Sequence, residues 1–226
     1  YHQPDPTLPA CLHLDEFAGS PRKLPGYEEG WFAVQDLSSA VVSTWMNPQP
    51  GETIVDLCAA PGSKTAHLAD LMQDTGSIIA VEPEKERIAR LTENLMRLGI
   101  QCVMVVQGKG ETVEVDPAWN AIDEILVDAP CSGLGTVRKH PEILLQLKEA
   151  DVTGYAKLQL ALLRHAVTLI KPGGKLIYST CSLHPAENQE VVQAFLRDCP
   201  SATLVREEQR LITQVQDGFY IAQFEC

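Results

Sequence analysis

Two Cys-Ser pairs are the residues of this 226-residue sequence best suited to covalent chemistry. One stands in Asp128-Ala129-Pro130-Cys131-Ser132-Gly133 and the other in Thr180-Cys181-Ser182-Leu183. A thiolate is a strong nucleophile, and a thiol beside a base or a cation reaches that state near neutral pH. Either cysteine alone reads equally well as a small buried hydrophobe, the reading that Cys58, Cys102 and Cys199 take. Cys11 and Cys226, near the chain ends, carry no information. Zinc is a second alternative, with His140 or His184 joining the thiols, but these spacings match no common ligand pattern and no metal is expected. Each pair sits where an apolar run gives way to a loop, and two such junctions are harder to attribute to packing than one.

A loop able to cradle a small ligand lies upstream. Asp56-Leu57-Cys58-Ala59-Ala60-Pro61-Gly62-Ser63-Lys64-Thr65 joins a strand-like run directly to a helical one. Small residues let the backbone approach a ligand, and a helix N-terminus favours an anionic group. A dinucleotide fingerprint needs G-x-G-x-x-G, which this loop lacks. A phosphate loop needs G-x-x-x-x-G-K-[ST], whereas here the first glycine is missing and Ser63 separates Gly62 from Lys64. S-adenosylmethionine remains, with a carboxylate and no phosphate; a tight turn holding no ligand is the plain alternative. Glu82 ends the next apolar run, where a carboxylate can accept from both ribose hydroxyls. A solvated carboxylate ahead of Pro83 explains it as simply.

A methyl donor beside two thiols suits methylation of cytosine at C5. That carbon is too electron-poor to attack a methyl sulfonium directly, and addition of a thiolate at C6 makes it nucleophilic. After transfer a base removes the C5 proton and the thiolate leaves. Asp128, if protonated or hydrogen-bonded, is placed to stabilise charge at N3.

These residues need elements that bring them to one edge. The pattern predicts a helix over 37–46 capped by Asp36, then strands at 53–57, 77–82, 102–107, 124–129 and 175–180. Helices are expected at 64–72, 84–99, 154–170 and 187–198. LITQVQ and FYIAQF flank Asp217-Gly218, a strong hairpin signal. Alternating strands and helices imply an α/β fold with a mostly parallel sheet, helices on both faces and a C-terminal antiparallel hairpin, the variation found in Rossmann-like methyltransferases. Ligands then sit beyond the carboxyl ends of the strands, and if the strands at 124–129 and 175–180 are neighbours, both thiols face one crevice. Residues 1–30, with five prolines, read as a lead-in that holds at most a short strand, and 31–226 as one catalytic domain.

Composition sets limits. No apolar run approaches the roughly 20 residues of a membrane helix, so no membrane association is expected. Eighteen Lys+Arg against thirty Asp+Glu give a net charge of −12, which argues against broad nonspecific affinity for nucleic acid. Seven widely spaced cysteines without a secretion signal read as reduced thiols in the cytoplasm. A monomer is expected. The chain opens at Tyr1, which suggests a processed chain or a piece of a longer one.

From about Leu24 to Phe224 the sequence resembles the RNA 5-methylcytosine methyltransferases, and within them the bacterial Sun/Fmu-type enzymes of small-subunit ribosomal RNA. The blocks that carry the likeness are LPGYEEGWFAVQD, DLCAAPGSKT, DAPCSGLGTVRKHPEI, KPGGKLIYSTCSLHPAENQEVV and DGFYIA. The resemblance implies methyl transfer from S-adenosylmethionine to cytosine C5 in RNA, 16S ribosomal RNA first. Transfer RNA, large-subunit RNA, or a degenerate fold that only binds RNA are the alternatives. It implies that Cys58, Ala59, Ala60, Pro61, Gly62, Ser63 and Lys64 line the methionine part of the donor, that Glu82 holds the ribose, and that Asp128 lies by donor and base. It also implies that Cys181 attacks C6 while Cys131 helps release the product; spacing alone does not separate the two thiols. Two positions depart from the pattern: Lys109 stands where relatives usually have an Asp contacting adenine, and Gln223 where they tend to have a lysine. Full-length relatives carry an N-terminal helical RNA-binding domain, which this chain is expected to lack. Arg138-Lys139-His140 could meet target phosphates or a splayed base, or form a solvated basic turn. The target base has to be unpaired or flipped out.

Overall fold

The computed structural model describes residues 2–4, 8, 11–14, 19–114, 116 and 121–226. A small antiparallel pair, β1 (His2–Pro4) with β2 (Leu12–Leu14), precedes the main sheet. The rest of the expected lead-in before residue 19, apart from residues 8 and 11, lies outside the described residues. The order then runs α1 (Leu37–Met46), β3 (Thr53–Asp56), α2 (Ser63–Leu71), β4 (Ser77–Glu82), α3 (Lys85–Arg97), β5 (Val103–Gln107) and β6 (Ile122–Asp128). It continues with α4 (Ile143–Gln146), α5 (Glu149–Leu169), β7 (Ile170–Thr180), α6 (Gln189–Asp198), β8 (Thr203–Arg210) and β9 (Phe219–Glu225).

Seven strands form one sheet in the order β5-β4-β3-β6-β7-β9-β8, parallel from β5 to β7 and antiparallel for β9 and β8. The central strands are apolar on both sides because both faces are covered: Ile54, Val55, Ile78, Ile79, Ile125, Leu126 and Val127 are all fully buried. On one face α1 and α2 bring Val42, Met46, Leu68 and Met72 against Ile54, Ile78, Leu126 and Ile177. On the other, α5 and α6 bring Leu162, Leu163, Ala166 and Phe195 against Val55, Val127, Tyr178 and Phe224. Chain direction across the sheet reverses between β3 and β6, so a crevice opens above that boundary.

Three details depart from expectation. The long helix α5 begins at Glu149, five residues earlier than its apolar period suggests, because Asp151 accepts from the Lys148 amide and caps it; Gly154 lies inside. Strand β7 begins at Ile170, directly after that helix, and runs through Pro172 and Gly173. The C-terminal antiparallel pair exists, but its first strand is β8 at 203–210 and not LITQVQ. Asp217-Gly218 is therefore no two-residue hairpin turn. Gly218 is required by a close approach instead: its amide donates to Gly135 O at 2.8 Å, and a Cβ there would come within 2.9 Å of the Leu183 side chain.

The segment 27–32 is fastened to α3. The Arg97 guanidinium lies 4.0 Å from the Tyr27 ring centroid and donates to Tyr27 O at 2.7 Å and Phe32 O at 3.1 Å. Gly30 adopts φ 74°, and any Cβ there would sit 2.0 Å from Arg97 O.

Candidate active site

A cleft of about 280 Å³ lies above the β3–β6 boundary, walled by the loop after β3, by Asp128, and by Asp36, Asp217 and Phe219 from distant parts of the chain. In that loop the Ala59 amide donates to Val81 O and the Gly62 amide to Ala59 O, which folds the chain tightly over the strand ends. Gly62 takes φ 99° at the N-cap of α2 and brings no side chain to its first-turn N–H groups, while Ser63 and Lys64 line the cleft beside them. That is an uncapped helix N-terminus facing a cavity.

Asp56 forms the buried floor. It accepts from Thr65 Oγ1 at 2.8 Å and from the Cys58 amide at 3.4 Å. Burial pushes its carboxyl up to about 6, with the nearby Asp128 charge adding to the effect. The Cys58 thiol is pushed well above its ordinary value by burial and by the acids around it, which suits an inert lining residue. Glu82 is 1% exposed. Its Oε1 accepts from the Glu84 amide at 3.1 Å, and its Oε2 lies 3.3 Å from Arg87 Nη1. The Arg87 contact is electrostatic only: Oε2 has no hydrogen-bond partner, because the Arg87 Nη2 is turned to Ala60 O at 2.7 Å. A buried, unsatisfied carboxylate oxygen at a strand end is poised to accept from a ligand hydroxyl. Lys109 is exposed just beyond β5.

Strands β6 and β7 pair in parallel up to Asp128 opposite Ser179, and the loops beyond them meet. Cys131 Sγ and Cys181 Sγ are 3.3 Å apart. Asp128 sits next to them, accepting from Lys64 Nζ at 2.7 Å on one oxygen and from Ser179 Oγ at 2.7 Å on the other. Both oxygens of Asp128 thus act as acceptors, and the proton donor in that pair is the Lys64 ammonium. The two thiols shift in opposite directions. Cys131 is held well above its ordinary value by its hydrogen bond with Cys181, and because burial and the Glu187 carboxylate disfavour an anion there. Cys181 is lowered by the same hydrogen bond and by Lys64, against burial and Asp128.

Beneath the sulfurs lies a network that the sequence did not announce. Glu187, fully buried, accepts from the Ser132 amide at 2.8 Å and from Gln159 Nε2 at 3.2 Å through Oε1. Its Oε2 accepts from both Ser132 Oγ and Ser182 Oγ, the latter at 2.6 Å. Nothing in the local pattern of Pro185-Ala186-Glu187-Asn188 distinguishes this carboxylate from a solvated helix-start acid.

The basic turn is committed internally. Lys139 Nζ bridges Asp36 at 2.8 Å and Asp217 at 2.7 Å, and Arg138 reaches Asp217 at 3.3 Å. His140 pairs with Glu142, and His184 Nδ1 accepts from the Ala186 amide; neither joins the sulfurs. Among the described residues no cluster of metal-ligating side chains occurs. Gln223 accepts from Arg206 on the neighbouring strand β8.

Comparison with known proteins places this geometry. A family model for 16S rRNA methyltransferase RsmB/F matches residues 43–225. Ribosomal RNA small subunit methyltransferase B of Vibrio vulnificus is 39% identical over 208 residues, which cover 88% of this chain and 48% of that protein. The crystal structure of PH0851 has a TM-score of 0.92 and 32% identity, covering 100% of this chain and 54% of the other. NSun6 from Pyrococcus horikoshii, solved with SFG, has a TM-score of 0.83 and 30% identity, covering 92% and 56%. The chain spans about half the length of the curated relatives it matches. With a Rossmann-like sheet, two converging thiols and a family match over most of its length, the chain belongs to the RsmB/F family of 16S rRNA methyltransferases.

Proposed function

We propose that this chain transfers a methyl group from S-adenosylmethionine to C5 of a cytosine in RNA, with 16S ribosomal RNA as the substrate and the cytoplasm as the place of reaction. The observation that carries the reading is the 3.3 Å approach of Cys131 and Cys181 at the carboxyl edge of the sheet, next to the Lys64–Asp128 pair. The cleft residues fit the donor. Residues 58–64 offer small side chains and an uncapped helix N-terminus for a carboxylate, and Glu82, behind the cleft lining at the end of β4, offers a buried oxygen with no hydrogen-bond donor of its own for a ribose hydroxyl. When bound, the donor supplies an electrophilic methyl group on a sulfonium.

The remaining chemistry belongs to the chain. The Cys181 thiolate bonds through Sγ to C6 of the flipped base, and the C5–C6 π pair becomes available at C5. Lys64, held by Asp128, is the cation that offsets charge developing on the ring. Once C5 carries its methyl group, a base takes the C5 proton, the electrons re-form the C5–C6 double bond, and the Cys181 thiolate departs. Cys131, whose sulfur lies 3.3 Å from that of Cys181, donates its S–H to the leaving thiolate and stabilises it.

Trapping tests this reading. Cys181→Ala abolishes methylation of ribosomal RNA, whereas Cys131→Ala leaves a protein–RNA adduct that survives denaturant. Full turnover by Cys181→Ala overturns it. A second reading, a degenerate fold that binds RNA without the donor, draws on exposed Lys109 where the family resemblance places an Asp. Thermal-shift titration separates the two, since a ligand at 100 times its Kd adds about 2.7 kcal/mol. No shift with millimolar donor favours the second.

A further inference from the structure

We propose that Glu187 is a positioning residue: by drawing Ser132 and Ser182 onto one carboxylate it sets the contact between the Cys131 and Cys181 sulfurs, and with it the reactivity of Cys181. This rests on the reading of the two cysteines given above.

Strand pairing stops short of the sulfurs. Pairing of β6 with β7 ends at Asp128 and Ser179, and backbone bonds from the Ala129 amide to Ser179 O at 2.9 Å and from the Gly135 amide to Cys181 O at 2.8 Å join the chain beyond. These fix the backbone of the two loops, and the approach of the side chains needs a further anchor. Glu187 supplies one. The hydroxyls of Ser132 and Ser182 are 3.0 Å apart and share its Oε2, while the sulfurs one residue earlier on each loop are 3.3 Å apart. Gln159 extends the grip to the other side of Cys131, donating to Pro130 O at 2.9 Å as well as to Glu187. The carboxylate is itself held: Tyr178 OH donates to Glu187 O, and Asn188 ties Thr180 Oγ1 (2.7 Å) to Ser182 O (2.9 Å).

Only an acceptor on both oxygens fits. Four donors converge there, namely the Ser132 amide, two serine hydroxyls and the Gln159 amide. An amide in place of the carboxylate turns one acceptor into a donor that faces donors. The charged and titratable groups near the thiols are Lys64 on α2, Asp128 on β6, Tyr178 on β7 and Glu187 itself. Changing the serines leaves all four in place.

The test is alkylation of the whole chain by iodoacetamide across pH, resolved cysteine by cysteine by mass spectrometry. Glu187→Gln moves the midpoint for Cys181 upward by about one pH unit or more. Ser132→Ala and Ser182→Ala move it the same way by less. Turnover falls as the midpoint rises, while KM for the methyl donor stays constant. If Glu187→Gln loses its near-ultraviolet circular dichroism, the serine variants decide, since each removes one hydroxyl and leaves the carboxylate its other donors. An unshifted Cys181 midpoint in the folded variants overturns the role of Glu187 and leaves methyl transfer untouched. A shift in a chain whose Cys131→Ala form makes no RNA adduct does the reverse.

Discussion

Cys131 and Cys181 stand in the same dipeptide, end neighbouring strands and reach the same buried carboxylate through the serine that follows each. Their surroundings are otherwise opposite. Around Cys181 the Lys64 cation favours the thiolate, with Asp128 opposing it. Around Cys131 the Glu187 carboxylate disfavours the anion. Equal sequence therefore yields unequal sulfur, through the hydrogen bond between the two thiols and the unlike charges that flank them; Lys64, from the helix that follows β3, is the cation on the Cys181 side.

Removing that cation breaks the contrast most severely. Lys64→Met is expected to lower kcat by about two to three orders of magnitude, the usual cost of losing one preorganised charge. The alkylation midpoint of Cys181 moves up while that of Cys131 stays, and equal movement of both sinks the explanation. Asp56 sharpens the contrast from the other side, as a carboxyl on the cleft floor with no ion pair of its own. Its folded value of about 6 is above the ordinary 3.8, so its contribution to stability is complete below pH 3.8 and is lost as pH rises through about 6. Asp56→Asn escapes that loss. Its stability relative to the parent should rise by roughly 2–3 kcal/mol between about pH 4 and pH 7, read from urea midpoints; a flat difference counts against the assignment. The smallest effect on the thiols is expected at Lys139, whose partly exposed ammonium pairs with the mostly buried Asp36 and Asp217 away from both sulfurs. Because Lys139 ties the loop after Cys131 to Asp36 and Asp217, Lys139→Ala should speed alkylation of Cys131 more than that of Cys181.

Much of the framework was legible. Apolar runs such as 77–82 and 124–129 could only be buried strands, and the capping of α1 by Asp36 follows from residue type; its Oδ1 accepts from the Ser38 amide at 3.0 Å. The convergence of the two thiols followed once their strands were taken as neighbours. What escaped depends on distant contacts. LITQVQ looks like a strand because its apolar residues recur, yet Leu211 and Val215 are exposed and the real edge strand, TLVREEQR, is mostly polar with its outer face in solvent. Lys139 and Arg138 read as phosphate contacts because no local signal reveals Asp36 and Asp217 as their partners. Glu187 was invisible for the same reason: its value lies in serines 55 and 5 residues away.

The cleft wall where Asp36, Lys139 and Asp217 meet has a temporal consequence. The Asp217 amide donates to the Asp36 carboxylate across 181 positions of sequence, and Lys139 closes the triangle. Such a long loop is among the last a chain can afford to close. A growing polypeptide can lay down β3, β4 and both thiols and still possess no finished cavity. The cleft is walled only when Asp217 and Phe219 arrive, so a chain terminated before them carries both thiols beside an unfinished cavity.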